Sequence, residues 1–305
     1  MLTTVDTSRP PTRRRGALKL HNTLQGWSFI LPNFIGFGIL TLVPVIMLFY
    51  YSLTEWNAFG KATFVGLENF SRLLGDSSFW TALYNTGYYS VFHIPLTLAA
   101  ALGLALLLNT GIKGRGFFRT AAFFPYITSI VAIAVVWNQI FSPEYGPINQ
   151  ALRFFGIADL PGWTASAQWS MPAVIIVGVW REMGYYMLLL LAGLQTIPAQ
   201  LYEAAKVDGA SAWQRFRNVT IPGLRPTLFF VTVMLTIGSL KVFDLILVMT
   251  NGGPGNSTLV LSQFIYRKGF EENQFGYASS SAVVLFFICL SITLLQYFWN
   301  RRQEK

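Results

Sequence analysis

The stretch that decides how this chain is organised runs from Ile197 to Pro226 and reads IPAQLYEAAKVDGASAWQRFRNVTIPGLRP. Its punctuation predicts two short helices joined by a sharp corner. Pro198 suits a first helical turn, where its missing N–H costs nothing. Leu201, Ala204, Ala205 and Asp208 recur at helical spacing along one side, and Gly209 can take the left-handed conformation that stops a helix. Ser211, followed three residues later by Gln214, has the form of a capping box opening a second helix, with Trp213 and Phe216 as apolar anchors before Pro222. Pattern alone leaves two readings open: a bent hook that engages a partner, or an amphipathic connector lying on a lipid surface. The small pair Ala204 and Ala205 argues for the hook, because small residues let a partner's backbone come close.

The sequence around this segment is suited to lipid. Of 305 residues, 53% are apolar, 16% aromatic and only 11% charged, with a mean hydropathy of +0.47, a profile that a water-soluble domain could not solvate. A hydrocarbon core about 30 Å thick takes about 20 apolar residues as helix. Six stretches reach that length: Phe29 to Leu53, Ala82 to Leu108, Thr120 to Phe141, Met171 to Leu194, Thr227 to Met249 and Tyr277 to Trp299. The chain therefore reads as all-α, a polytopic membrane protein with six transmembrane helices. Arg13, Arg14, Arg15 and Lys19 precede the first run as in a signal peptide, but the run is too long. Leu53, Thr54, Glu55 and Trp56 at its end offer no small-residue cleavage site, so an uncleaved first span is expected.

Charge sets the orientation. Of the 22 Lys and Arg, 15 fall in the tails and in alternate loops that include Lys113, Arg115, Arg119, Lys206, Arg215, Arg217 and Arg225. Five fall on the other face and two, Arg181 and Lys241, lie within spans. The positive-inside rule puts both termini and the segment from Gln195 to Pro226 in the cytoplasm. Residues 54–81, 142–170 and 250–276 then face outward, rich in Trp, Pro, Gly and Asn. The net charge of +9 does not point to nucleic acid, because the basic residues flank apolar spans and form no groove interleaved with aromatics. The single cysteine, Cys289, excludes an internal disulfide framework and a cysteine-based zinc site. Two histidines, His21 and His93, and no HExxH or GxSxG pattern give no support to an embedded enzyme. An ion-driven secondary transporter is the rival that hydropathy allows, although no convincing internal repeat supports it.

The cytoplasmic segment also carries a resemblance. Glu203, Ala204, Ala205, three residues, Gly209, nine residues, Val219, Thr220, Ile221, Pro222 resembles the EAA loop of bacterial ABC importer permeases, departing only by conservative swaps at Val219 and Ile221. Asp208, Ala210, Phe216 and Pro226 extend the likeness to the carbohydrate-uptake group. Phe64, Val65, Gly66, Leu67, Asn69 and Phe70 look like an element that follows the first span in this family, and Asn85 with Thr86 like one that opens the second. Leu191 to Gln195 with Ile197 and Pro198 lead into the loop in the family manner. Lys241 to Asp244, and Thr250 to Thr258 (TNGGPGNST), are similar to elements of the first permease of a maltose- or glycerol-phosphate-type pair. Together these cover most of residues 28–300.

The resemblance implies an ABC type I importer permease fold in a bacterial or archaeal inner or plasma membrane. It divides the chain into a cytoplasmic tail (1–26), a first transmembrane helix with an external loop (27–81), a permease core of five helices (82–300) that includes the loop 195–226, and a short tail (301–305). It implies as partners ATP-binding cassette ATPase subunits, a second permease and an extracytoplasmic solute-binding protein. Glu203, Ala204, Ala205, Asp208 and Gly209 would couple to the ATPase, Glu203 meeting a polar or basic group there and Gly209 making the bend. No GxxxxGK[ST] phosphate loop is present, so ATP and magnesium are expected in the partner ATPase, no cofactor or metal in this chain, and no catalytic residue.

Ionisable groups within spans are the candidates for the solute path, since each costs roughly 2.5–3.5 kcal/mol at mid-bilayer on insertion scales unless paired or facing a cavity. Lys241 and Asp244, three apart on the expected fifth helix, leave a structural ion pair and a solute-lining role both open. Asn138, Gln139 and Ser239 are polar candidates beside them. Arg181 and Glu182 are roughly 100° apart on a helical wheel, so they are expected to face different partners. His93, two residues before Pro95, is expected to be a hydrogen-bonded structural residue at a kink rather than a proton relay. Trp27, Trp56, Trp80, Trp137 and Trp169 lie mostly near span ends, where an interfacial belt suffices to explain them and stacking on a sugar is the alternative.

Overall fold

The computed structural model describes residues 27–303; the tail 1–26, with its basic run and His21, lies outside the described residues, as do the last two residues. The long helices are α1 (Trp27–Ser52), α3 (Ser77–Leu108), α7 (Ser170–Thr196), α9 (Ala212–Leu240) and α12 (Phe275–Gln303). Shorter helices are α2 (Glu68–Gly75), α4 (Arg115–Ile127), α5 (Ile130–Ile140), α6 (Pro147–Phe154), α8 (Ala199–Val207), α10 (Asp244–Met249) and α11 (Leu261–Tyr266). A two-stranded antiparallel ribbon, β1 (Thr54–Glu55) with β2 (Thr63–Phe64), tops the first span.

Helix α7 is the hub. Ala173, Val174, Val177, Met187 and Leu190 on it are fully shielded, packed in one half of the membrane against α5 and α10 and in the other against Ala101, Ala105, Leu224, Val231 and Leu235 of α3 and α9. Lipid offers no hydrophobic drive for such packing, so close van der Waals approach and small residues have to supply it. Gly184 is the clearest instance: a Cβ there would overlap the backbone of Ala122 and Phe123 on α4. By contrast α1 buries none of its most apolar window. It touches the rest of the chain where Phe49 meets Phe286 and Phe287 edge-on, at 5.8 and 6.0 Å.

The external loops are fastened by the motif residues noted in the sequence. Asn69 is buried and donates to the carbonyls of Ser52 and Thr54, 3.1 and 2.9 Å, which clamps α2 to the end of the first span. Asn85 donates to Asn256 O and Leu259 O, at 2.9 and 3.0 Å, while Thr86 Oγ1 accepts from the Leu261 amide, at 2.9 Å. The start of α3 therefore holds the 250–258 loop, whose own Thr250 and Thr258 hydroxyls lie 2.7 Å apart.

Two expected spans are not single helices. Thr120 to Phe141 divides into α4 and α5, bent by 99°. The chain is extended at Thr128 and Ser129, where the Thr128 hydroxyl donates to Phe124 O at 2.9 Å, a local bond that competes with helix continuation. Counted as one bent span, this pair makes the sixth crossing. Thr227 to Met249 likewise ends early: α9 stops at Leu240, and α10 resumes at Asp244. At its other end α9 begins at Ala212, because Pro222 does not stop it. A π-turn over Phe216–Thr220 precedes the proline, which takes the second position of the α-helical stretch that starts at Ile221, where the shifted hydrogen-bond register tolerates a missing N–H.

The close approach at Gly184 generates a stability test. Gly184→Val is expected to lower the thermal midpoint of the detergent-purified protein through overpacking worth about 1–3 kcal/mol, while Gly36→Val, which meets nothing within 4 Å, leaves it unchanged. Size-exclusion chromatography after a temperature series reads both.

Candidate functional site

The break in the fifth span borders a polar cavity. It measures about 170 Å³ and is lined by Tyr89 and His93 of α3, Arg181 and Glu182 of α7, and Lys241 and Asp244 at the break, among others. Lys241 is the residue on which α9 ends and Asp244 the first of α10. A cation at a helix C-terminus and an anion at an N-terminus each complement the local macrodipole. The two side chains are therefore not on one helix, and no ion pair joins them among the described residues; both are exposed.

Arg181 and Glu182 face partners on different helices, as expected, Tyr126 for the first and His93 for the second, and they also meet: Arg181 Nη1 lies 3.6 Å from Glu182 Oε1. Both side chains are long enough to bend from adjacent positions into the same polar space, where each is the other's cheapest partner. Glu182 Oε2 is also 3.7 Å from His93 Nε2. His93 is buried, stacks on Tyr89 at 4.8 Å and shares a 3.3 Å contact with the Thr97 hydroxyl. This pair sits close to α7 because position 178 is glycine; a Cβ there would fall 2.6 Å from Tyr89 Oη and 3.1 Å from the His93 ring. On the other side the Arg181 guanidinium lies over the Tyr126 ring at 5.5 Å, and Tyr126 stacks on Tyr185 at 4.4 Å and 10°.

The remaining polar candidates are scattered. Ser239 lines the cavity but is buried, its hydroxyl donating to Thr236 O at 3.1 Å. Asn138 is outside the lining and donates to Met249 O at 3.2 Å, tying α5 to α10. Gln139 is exposed on α5, also outside the lining. Trp137 packs edge-on against Trp180 at 5.3 Å. Tyr89 was not legible as a site residue; aromatic residues are common in every span, and only the charged residues of the fourth and fifth spans pointed to this place.

The cytoplasmic hook is built by two capping devices. Helix α8 closes with Gly209 at φ +75°, with the Gly209 amide donating to Lys206 O at 3.0 Å and the Ala210 amide to Ala205 O at 2.9 Å, the paired bonds of a Schellman cap. The capping box then starts α9: Ser211 N donates to Gln214 Oε1 at 2.7 Å, and Gln214 N to Ser211 Oγ at 3.3 Å. Arg215 Nη1 braces the corner by donating to Ala210 O at 2.7 Å, and the Tyr202 and Thr220 hydroxyls, 3.1 Å apart, tie the two limbs together. Pro198 stands one place before the helix as its N-cap. Glu203, Ala204, Asp208 and Gly209 are exposed and Ala205 is half-buried. Leu201, Val207 and Trp213 also present 51%, 88% and 66% of their surface, a sizeable apolar area for a segment in the cytoplasm.

Comparison with known proteins agrees with this architecture. The family described as "binding-protein-dependent transport system inner membrane component" matches residues 94–305. The lactose transport system permease of Rhizobium radiobacter is 36% identical, with 96% of this chain and 99% of that protein covered. The trehalose/maltose transport system permease of Thermococcus litoralis is 34% identical over 91% of this chain and 94% of that one. Among solved structures, a chain of a bacterial ABC transporter for import of the acidic polysaccharide alginate superposes with a TM-score of 0.82 at 27% identity, covering 95% of this chain and all of that one. A sequence with this extent of match, spanning a membrane several times and folded in this way, belongs to the binding-protein-dependent transport system inner membrane components, the permease subunits of ABC importers.

Proposed function

We propose that this chain is the permease subunit of an ATP-driven importer for a sugar or related carbohydrate, in the inner or plasma membrane of a bacterium or archaeon, and that it couples closure of a partner ATPase to alternating access. The observation that carries the reading is mechanical: the hook is not a separate appendage. The same 29-residue helix, Ala212–Leu240, starts at the hook's corner and ends at Lys241 on the wall of the polar cavity. At 1.5 Å per residue it is roughly 43 Å long. A push on Glu203, Ala204, Ala205, Asp208 and Gly209 by ATPase subunits would be delivered by a rigid rod to the one place in that span where the backbone is not helical. Hinges of this kind absorb domain closure.

The cavity has the chemistry for a polyhydroxylated solute. Glu182 and Asp244 accept hydrogen bonds from sugar hydroxyls, Arg181 and Lys241 donate to them, and Tyr89, Ile130 and Phe243 in the lining supply apolar surface. Two cations balance two anions, which suits a neutral carbohydrate. The sugar-permease relatives support the same class. A second permease completes the path on the exposed apolar side of α4 and α5, which presents Phe117, Phe124, Ile127, Val131 and Val135. A solute-binding protein delivers cargo to the outward loops, in keeping with the family's description. ATP and magnesium bind to the ATPase subunits and not to this chain.

The coupling claim is tested in liposomes holding this chain with its second permease, ATPase subunits and solute-binding protein. Glu203→Ala and Gly209→Val are expected to reduce solute-stimulated ATP hydrolysis about tenfold or more, the scale of a coupling free energy, while Gly209→Asn, which tolerates positive φ, retains most of it. Full stimulation in all three would make the segment a surface connector, and uptake driven by an ion gradient without ATP would replace this reading altogether.

The cavity claim predicts a second result. Lys241→Asp is expected to lower solute uptake about tenfold, and exchanging the charges (Lys241→Asp with Asp244→Lys) is expected not to restore it, because each charge would then oppose its helix end. Recovery in the exchanged variant would show that the two residues form only a structural pair.

A further inference from the structure

Two adjoining recesses open on the outward side of the chain, and the proposed transport function makes no use of them. They measure about 240 and 380 Å³ and share Arg72, Gln274 and Tyr277, and neither has a residue in common with the polar cavity. The smaller one holds two aromatic rings, Trp56 and Tyr277, among six polar side chains and no aliphatic one. A belt position accounts for an indole turned to lipid. Trp56 instead lines a recess in which every other member can make a hydrogen bond.

The floor of this recess is already fixed. Trp56 stacks on Tyr51 at 4.3 Å and 13° and leans on Phe275 at 5.5 Å, while its carbonyl accepts from the Gly276 amide at 3.1 Å. Position 276 is glycine because a Cβ there would overlap Thr54 O. Asn69 is engaged by the Ser52 and Thr54 carbonyls, and Tyr277 donates to Asp76 Oδ2 at 2.9 Å. The rim differs from the floor: Glu55, Asn57, Arg72 and Asn273 are exposed. The Arg72 guanidinium lies over the Tyr277 ring at 4.7 Å, and its Nη2 donates to Gln274 Oε1 at 3.4 Å. Asn57 Oδ1 accepts from the Phe59 amide at 3.0 Å, which leaves its Nδ2 to donate.

Charge and composition select the ligand. Across the two recesses Arg72 and Lys268 are matched by Glu55 and Asp76, so an anion gains nothing there. The core of a protein interface is apolar and depleted of charge, and this lining is the reverse. A sugar ring fits both of its features, since its hydroxyls need donors and acceptors side by side and its C–H face needs an aromatic surface. We propose that the smaller recess is a second saccharide site, a neutral pyranose ring resting against Trp56 with its hydroxyls shared among Glu55, Asn57 and Arg72. The proposal rests on the carbohydrate reading for the class of ligand, and on the charge-derived orientation for the side it faces, but it needs neither the cavity nor the coupling hook.

The experiment uses the assembled transporter in phosphatidylcholine nanodiscs, free of glycoside detergents and without solute-binding protein, with maltotriose or cellotriose as the probe. Saturation-transfer difference NMR reads weak contact with the sugar protons. A signal is expected from at least one trisaccharide, undiminished in Lys241→Asp, and about fivefold weaker in Trp56→Leu, the scale of one aromatic contact. Trp56→Phe should keep most of it. Glu55→Ala, which removes an exposed carboxylate and leaves the Trp56 packing alone, should weaken it comparably and decides the matter even if Trp56→Leu fails to assemble. Absence of signal from both sugars, or a signal unchanged in Trp56→Leu and Glu55→Ala, would overturn the proposal. A signal lost in Lys241→Asp but kept in the other two would place the sugar in the central cavity, and one seen only after solute-binding protein is added would make the recess a protein contact; either result overturns it as well. Failure of sugar uptake in liposomes, by contrast, would count against the transport reading and leave this signal in place.

Discussion

A backbone amide or carbonyl left without a partner in hydrocarbon costs several kcal/mol, so a membrane-spanning chain can stop being helical only where protein or a wet cavity takes over. The gap at Lys241, Val242 and Phe243 obeys this constraint. It opens onto a cavity bounded by Arg181, Glu182, His93 and Tyr89, and its ends carry a lysine and an aspartate in the sense that the two helix dipoles require. The irregular backbone, the charged side chains and the cavity are mutually dependent. Without the cavity, neither the break nor the charges would be tolerated at that depth.

From that point the rest of the molecule follows outward. Because α9 runs unbroken from Leu240 back to Ala212, the cytoplasmic corner and the cavity wall are two ends of one element. The π-turn at Phe216–Thr220 preserves this continuity past Pro222, where an ordinary α-helical register would have been interrupted. On the outer side, the 250–258 loop is held by Asn85 and Thr86, so the chain that leaves the short helix α10 is fixed to α3 rather than free. The segment beyond the break is therefore anchored to α3, and Lys241, Val242 and Phe243, between it and α9, line the cavity.

The close approaches on α7 give the arrangement its precision. Gly184 admits the α4 backbone, and Gly178 admits Tyr89 with His93. Each brings a different helix to the hub, and the second places His93 within 3.7 Å of Glu182. A side chain at either glycine would separate groups that the cavity needs together. On α4, just before the bend, Tyr126 stacks on Tyr185 and lies under the Arg181 guanidinium.

The hydropathy of six stretches and the cytoplasmic hook were legible in the residue order because both are local. Twenty apolar residues specify a span, Gly209 has the positive φ its position in the helix stop implied, and Ser211 with Gln214 closes the capping box. The tertiary structure decided what depends on neighbours. It divided the third and fifth spans, separated Lys241 from Asp244 onto two helices, joined Arg181 to Glu182, and left Asn138 bonded to Met249 O, outside the cavity lining. Periodicity records which face of a helix is apolar, but not where a helix can afford to end, because that is set by whether the surrounding helices enclose lipid or a polar space.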